Sequence, residues 1–175
     1  MPVGAPRDRE RVEIVRGMAL DELRDHGYPG ATVSVSERPG ATPAAVIVTF
    51  AATPGLFARF GDVVIDGASK VSRSVVMRQM AFRRGEPFKL SALQTSQRRL
   101  SGLEVFQFAN VEVGDTTSTP GEVVTHVTVV EAPPRQFTFG VGYGSEDHAR
   151  VQSTWRHVNF LGGARTLGFE GKFSS

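Results

Sequence analysis

Chemistry in this chain would have to come from few residues. There is no cysteine, so disulfides and thiolate metal sites are excluded. The four histidines, His26, His126, His148 and His157, show no paired helical spacing of the kind a zinc site uses. His126, set in an alternating strand, reads as a solvated or locally bonded side chain. Glu146 and Asp147 are adjacent carboxylates within Ser145-Glu146-Asp147-His148. Adjacent strand residues point apart, so a polar hairpin turn accounts for them better than acid–base pairing does. Gly140-Val141-Gly142-Tyr143-Gly144 has the glycine content of a phosphate loop, but the third glycine is not at the required spacing and no helix follows. No cradle of backbone N–H groups would form there. No catalytic residue, cofactor site or metal site is expected, and no enzymatic activity.

The same glycines fall into place as half of a period-two pattern. From Gln136 on, Phe137, Phe139, Val141 and Tyr143 alternate with Thr138, Gly140, Gly142 and Gly144. Ala149, Val151 and Trp155 oppose Arg150, Gln152, Thr154 and Arg156; Leu167, Phe169 and Phe173 oppose Thr166, Gly168, Glu170 and Lys172. Three antiparallel strands with one apolar and one wet face follow, at roughly the ten-residue length of a tilted membrane strand. Three strands cannot close a barrel, which needs at least about eight. The tail is therefore the opening of a larger barrel or a soluble sheet. Trp155 marks a membrane interface on the first view and a core position on the second.

Composition sets few limits. The 175 residues suffice for one domain or two small ones, and 40% hydrophobic content can fill modest cores. A net charge of +2 provides no strong field for nucleic acid. No apolar run reaches the roughly eighteen residues of a spanning helix. Residues 1–6 lack the apolar core of a secretory signal, so if the protein is exported its signal lies upstream.

Ahead of the tail lies a unit and a half of a repeat. The complete copy begins with a strand over Phe60–Asp66, ended by Gly67. Ser69 or Ser72 caps a helix through Phe82 whose packed side is Val75, Val76, Gln79, Met80 and Phe82. Arg83 and Arg84 lie at its C-terminal end, and Gly85 stops it. Ser91 caps a second helix to about Gly102, with Leu93, Leu100 and Leu103 on one side. In the next strand Phe106, Phe108, Val111 and Val113 share a face only if the phase shifts near Ala109, as at a bulge. Asp115–Gly121 is a polar connection, and Val123–Val130 is a strand with Thr125, Val127 and Val129 on one face. The partial copy has a helix over Asp8–His26, with Val12, Val15, Ala19 and Leu23 on one side, and strands Ala31–Ser36 and Ala45–Ala51 around a turn at Pro39-Gly40. The copies align at an offset of about 77 to 79 positions: Ala31–Val35 over Ala109–Val113, Val46, Val48 and Phe50 over Thr125, Val127 and Val129, Phe60-Gly61 over Phe139-Gly140. Lys70, Arg73, Arg78, Arg83, Arg84, Lys89, Arg98 and Arg99 gather in the complete copy. They read as solvated helix faces, with contact to acidic clients or lipid head groups as the other account.

Taken in order, several stretches resemble the outer-membrane protein assembly superfamily, whose members carry periplasmic polypeptide-transport-associated (POTRA) domains and a C-terminal barrel. These are His26-Gly27-Tyr28-Pro29-Gly30-Ala31-Thr32-Val33, Phe60-Gly61-Asp62-Val63-Val64-Ile65-Asp66-Gly67, Gly85-Glu86-Pro87-Phe88, Leu103-Glu104-Val105-Phe106, Val129-Val130-Glu131-Ala132-Pro133-Pro134-Arg135 with Gly140-Val141-Gly142-Tyr143, and Asn159-Phe160-Leu161-Gly162. Within the superfamily the pattern is most similar to the translocation and assembly module branch. The resemblance implies an α+β fold of tandem POTRA-like domains (β-α-α-β-β) followed by the first antiparallel strands of a transmembrane β-barrel. The domains would be residues 1–57 (the C-terminal part of one POTRA-like domain), 58–135 (a complete one) and 136–175 (barrel strands). It implies an outer-membrane location in a Gram-negative bacterium, with the POTRA-like domains in the periplasm. The implied role is assembly of unfolded outer-membrane proteins, autotransporters included. Partners would be those clients, the bilayer and a periplasm-spanning protein, but no nucleic acid. The core barrel-assembly subunit, a two-partner secretion pore and a soluble periplasmic binding protein are the alternatives. Client-binding edges are expected at Ala31, Val33, Val35, Phe106, Phe108, Val111 and Val113, where backbone pairing can add a strand. A weakly paired lateral seam is expected at Phe137, Phe139, Gly140, Val141, Gly142, Tyr143 and Gly144.

Overall fold

The computed structural model describes residues 8–42, 45–114, 120–143 and 150–174. Its elements follow the order α1 (Arg9–Asp25), β1 (Thr32–Pro39), β2 (Val46–Thr53), β3 (Arg59–Asp66), α2 (Arg73–Gln79), α3 (Leu90–Ser101), β4 (Phe106–Val113), β5 (Glu122–Glu131), β6 (Arg135–Gly142), β7 (Arg150–Phe160) and β8 (Arg165–Ser174). They form an α+β fold with three small sheets, ordered β1-β2, β3-β5-β4 and β6-β7-β8. Residues 115–119 and 144–149, the latter with Glu146, Asp147 and His148 for which a polar hairpin turn is expected, lie outside the described residues. The chain divides into two compact units. One draws on residues 1–63, 82–94 and 113–125, the other on 64–81, 95–112 and 126–175.

In the first unit, Asp8 caps α1 by accepting from the N–H groups of Glu10 and Arg11, and Gly27 (φ 97°) follows the helix end. α1 packs over the antiparallel β1–β2 pair, whose register runs from Thr32↔Thr53 to Pro39↔Val46. Val12, Ala31 and Val33 are buried. In the same unit, the Phe60 ring stacks on Phe82 at 3.8 Å and meets Phe88 at 5.3 Å. The segment 85–88 runs along the start of β3, through Phe60 N–H to Glu86 O (2.9 Å), Gly85 N–H to Phe60 O (2.7 Å) and Phe88 N–H to Ala58 O (3.0 Å). Arg83 and Arg84 are thus in a loop, not at a helix end, and Gly85 (φ 86°) is a turn residue. The Arg84 guanidinium pairs with Asp62 at 2.7 Å and Glu122 at 3.4 Å. Ser91 does not cap α3: the helix starts one residue earlier, and the Ser91 N–H donates to the Asp25 carboxylate at the end of α1 (2.7 Å).

In the second unit, Val71, Val75, Val76, Ser96, Leu100, Val105, Phe106, Ala109, Val111, Val127 and Val129 are buried. α2 stops at Gln79 rather than Phe82 because Met80 turns extended (ψ 128°) and the next N–H, of Ala81, goes to the enclosed Ser96 hydroxyl (2.9 Å). Ser72 stands at the cap position without a capping bond, its hydroxyl 2.9 Å from that of Ser74; Ser69 serves another purpose described below. The phase of β4 does shift, but the buried set is Phe106, Ala109 and Val111. Phe108 is 54% exposed and Val113 also faces out.

Candidate client-binding edges and membrane-facing sheet

β4 ends its sheet and β1 ends its pair, so each has one long side without a strand neighbour among the described residues. Ala31 (just ahead of β1), Val33, Phe106 and Val111 commit their side chains to cores, and Val35 is half-buried. Such an edge offers main-chain N–H and C=O groups, and on β4 the outward side chains Phe108 and Val113.

The third sheet is an antiparallel meander. Its register aligns Phe137, Trp155 and Phe169 in one row, Phe139, Ser153 and Gly171 in the next, and Val141, Val151 and Phe173 in the third. Phe137 is 68% exposed and Phe169 65%. Trp155 stacks on Phe169 with centroids 5.7 Å apart. The opposite face carries the rows Thr138–Thr154–Glu170 and Gly140–Gln152–Lys172. There the Gln152 amide donates to Glu170 (2.9 Å), and Lys172 pairs with the same carboxylate (2.9 Å). One wall thus has a continuous apolar side, with a stacked aromatic row, and a hydrogen-bonded polar side.

β6 is one edge of this meander, and among the described residues it pairs with β7 alone. Phe137, Phe139 and Val141 lie on its apolar face, with Tyr143 just beyond and exposed; Gly144 lies outside the described residues. A Cβ built on Gly140 or Gly142 meets nothing within 4 Å, and neither residue has positive φ. Among the described residues, neither crowding nor backbone conformation requires glycine here. What remains is its weak strand propensity.

Sequence reasoning missed how the strands are tied to the helices. The Glu131 carboxylate, at the end of β5, accepts from the N–H groups of Ser69 (2.8 Å), Lys70 (2.6 Å) and Val71 (2.8 Å), and from the Ser69 hydroxyl (3.2 Å). Partial burial alone would raise the pKa of this carboxyl. The three backbone donors and the hydroxyl outweigh it and hold the group below the ordinary glutamate value. The Asn159 side-chain amide in β7 donates to Lys70 O (3.0 Å). Glu104 accepts from Arg156 (3.3 Å) and Thr166 (3.2 Å), both on the polar face of the meander. Glu131 and Glu104 stand in stretches that resemble the family, yet their partners are about fifty to sixty positions away and backbone donors leave no trace in sequence. Asn159 (φ 61°) adopts the left-handed region together with Leu161 (59°) and Ala164 (56°) at the same hairpin turn.

The histidines are dispersed: His26 ends α1, His126 is in β5, His157 is in β7, and His148 lies outside the described residues. Among the described residues no group of three or more histidines and carboxylates could hold a metal ion. No helix among them is long and apolar enough to cross a membrane, which says nothing of crossing by strands.

Residues 58–132 match the POTRA family, described as a surface antigen variable number repeat. Over 142 residues, 81% of this chain, the sequence is 26% identical to the outer membrane protein assembly factor BamA of Nitratidesulfovibrio vulgaris (strain Hildenborough). The chain spans 18% of that relative's length. The crystal structure of Haemophilus ducreyi BamA lacking POTRA domains 1–3 superposes with a TM-score of 0.86 at 21% identity, over 99% of this chain and 33% of that one. CdiB from Escherichia coli superposes with a TM-score of 0.57 at 15% identity, over 95% of this chain and 30% of that one. Residues 58–132 thus match the POTRA family, and over most of its length the chain is similar to outer-membrane protein assembly factors of the BamA kind.

Proposed function

We propose that this chain is part of a non-enzymatic assembly factor that receives unfolded outer-membrane proteins at its POTRA edges and assists their folding and insertion into the bilayer, autotransporters among them. The observation that carries the reading is the meander that follows the POTRA domain directly. Its Phe137–Trp155–Phe169 row faces out, opposite a polar hydrogen-bonded face. A sheet of this kind is stable as a wall between lipid and a wet lumen. Client folding and apolar burial in lipid would supply the driving force, with no nucleotide. The β4 edge would hold clients by backbone pairing, which is indifferent to sequence and suits varied clients. Gly140 and Gly142 would keep the first barrel strand weakly paired, so that a lateral seam can part.

Within the superfamily, the BamA relatives favour the core assembly branch over the TamA-like branch to which the sequence motifs point. A TamA-like protein with a periplasm-spanning partner, and a pore exporting one polypeptide, are the competing outcomes. The full-length protein in vesicles tests them together. A photo-crosslinking side chain at Phe108 or Glu112 on β4 should capture an unfolded barrel client, and one at the exposed Val130 of the central strand should not. Captured client should then become heat-modifiable in the membrane. Equal capture at all three positions would defeat strand addition, and client released into the vesicle lumen would favour the export pore.

A further inference from the structure

The apolar face of the meander is not apolar to its end. Along β6 it carries Arg135, Phe137, Phe139 and Val141; along β7, Val151, Ser153, Trp155 and His157; along β8, Arg165, Leu167, Phe169, Gly171 and Phe173. Arg135 is the register partner of His157, and Arg165 pairs with Phe160 after the irregularity that follows His157. All three nitrogen-bearing side chains therefore lie at one end, below the Phe137–Trp155–Phe169 row, and this face carries no carboxylate among the described residues. That end is the POTRA end: only Ala132, Pro133 and Pro134 separate β5 from β6, and the Val158 N–H returns to Pro134 O (2.9 Å).

Three details show what these groups are free to do. Neither Arg135 nor Arg165 makes an ion pair among the described residues. The Arg165 side chain turns back over Gly163 in the hairpin turn, with Nε, Cγ and Cδ within 4.0 Å of where a Cβ on that glycine would stand. It is thus directed away from the aromatic row, as a cation is at the edge of hydrocarbon. The His157 ring lies between Trp155 (6.1 Å) and Phe160 (5.8 Å), with Nδ1 enclosed and without a hydrogen-bond partner among the described residues. Of the two ring nitrogens Nδ1 is the enclosed one, so Nε2 is the ring atom that a ligand can reach. Two strand spacings and two residues of rise separate Arg135 and Arg165 by about 12 Å, a gap that two extended arginine side chains close around one phosphate.

We propose that Arg135, His157 and Arg165 form a site for the phosphate of an anionic phospholipid in the periplasmic leaflet. The site rests on the reading that β6–β8 are membrane wall. Charge complementarity selects the occupant: cations confined to the rim of an otherwise apolar face fit a head group whose acyl chains lie along Phe137, Trp155 and Phe169. The lipid would fix the depth of the first hairpin beside the seam strand.

The test uses the full-length protein in vesicles of phosphatidylcholine with a minority of phosphatidylglycerol, with retained lipid counted by native mass spectrometry. The wild type should retain phosphatidylglycerol about thirtyfold over phosphatidylcholine, the scale expected for two surface cations at about 1 kcal/mol each. The double variant Arg135→Gln/Arg165→Gln should fall to within about twofold, while Arg135→Lys/Arg165→Lys should keep most of the preference, since lysine binds phosphate as a point charge. His157→Leu should weaken retention without altering heat-modifiable migration, which keeps the site testable if the glutamine pair does not fold. Lys172→Gln, on the polar face, should change nothing. Unchanged preference in a correctly inserted glutamine variant would overturn the site alone. Loss of the wild-type preference to excess inorganic phosphate would overturn the lipid assignment in favour of a free anion. A wild type that never becomes heat-modifiable in vesicles would sink the membrane reading, and the site with it.

Discussion

Removing the Glu131 carboxylate should loosen the entry to α2 by a measurable amount. That single oxygen pair holds three consecutive N–H groups, Ser69 to Val71, at 2.6–2.8 Å, and the Ser69 hydroxyl at 3.2 Å. Hydrogen bonds to a charged group contribute about 1.5–3 kcal/mol each when enclosed. Here they share one acceptor at a partly solvated site where water can replace them, so the total is nearer to 2 kcal/mol for Glu131→Ala. At 1.4 kcal/mol per tenfold, amide exchange at Ser69, Lys70 and Val71 should quicken roughly thirtyfold. Glu131→Gln keeps an acceptor without the charge and should fall between. The pH dependence has a definite sign. The folded carboxyl titrates below its unfolded value, so its contribution is complete above the ordinary glutamate range and is lost as pH falls through the lowered folded value. Wild-type protection of these three amides should therefore decline on acidification below about pH 4, and the glutamine variant should show no such decline. Hydrogen exchange resolved to these residues, in the full-length protein, reads both effects. Equal protection in wild type and Glu131→Ala, or an identical acid response in the glutamine variant, would refute the account.

Three further outcomes follow from particular contacts. Gly67→Ala should destabilise the protein by more than about 1 kcal/mol in urea unfolding, because its φ is 86° and a Cβ would collide with the Val129 carbonyl oxygen. Ser96→Ala should cost about 1–3 kcal/mol by leaving the Ala81 N–H without its acceptor, read as a shift of the same transition. Gly140→Val with Gly142→Val should fold, since nothing stands within 4 Å of either new Cβ, yet slow client insertion in vesicles several-fold by strengthening the first strand; unimpaired insertion would count against a weak seam.

Period-two patterning made the strands legible. Thr125, Val127 and Val129 of β5, and the alternation of β6 to β8, stand as the residue types indicate. Helix limits were less legible, and the reasons are tertiary. Ser96, a residue of α3, takes the N–H that would have continued α2. Asp25, at the end of α1, supplies the bond expected from Ser91 itself. In β4, Phe108 looks like core by type but falls on the outer side of the phase shift, while the smaller Ala109 is buried. Of the candidate site, the edge strands follow from repeat order. The anchors at Glu104 and Glu131 do not, because their partners are backbone groups and side chains distant in sequence.

The same alternation has opposite meanings in β5 and β6, and physical chemistry explains why they cannot be exchanged. Val123, Thr125, Val127 and Val129 of β5 are each almost wholly enclosed. These are β-branched side chains of moderate size, suited to a sheet face covered by other elements. Phe137, Phe139 and Val141 of β6 are larger on average and stay open, as do Phe169 and Phe173 on β8. A face of aromatic rings left open to water would be an aggregation surface well beyond what a soluble monomer carries. Polar residues on the other side, joined through Gln152, Glu170 and Lys172, would be no better placed in a protein core. Turning the sheet over does not remove the conflict; a solvent that is oil on one side and water on the other does. The pairing of both faces is what the proposed membrane wall requires, and a charge placed at Phe139, midway along the apolar face, should abolish heat-modifiable insertion while the same charge at Gln152 is tolerated.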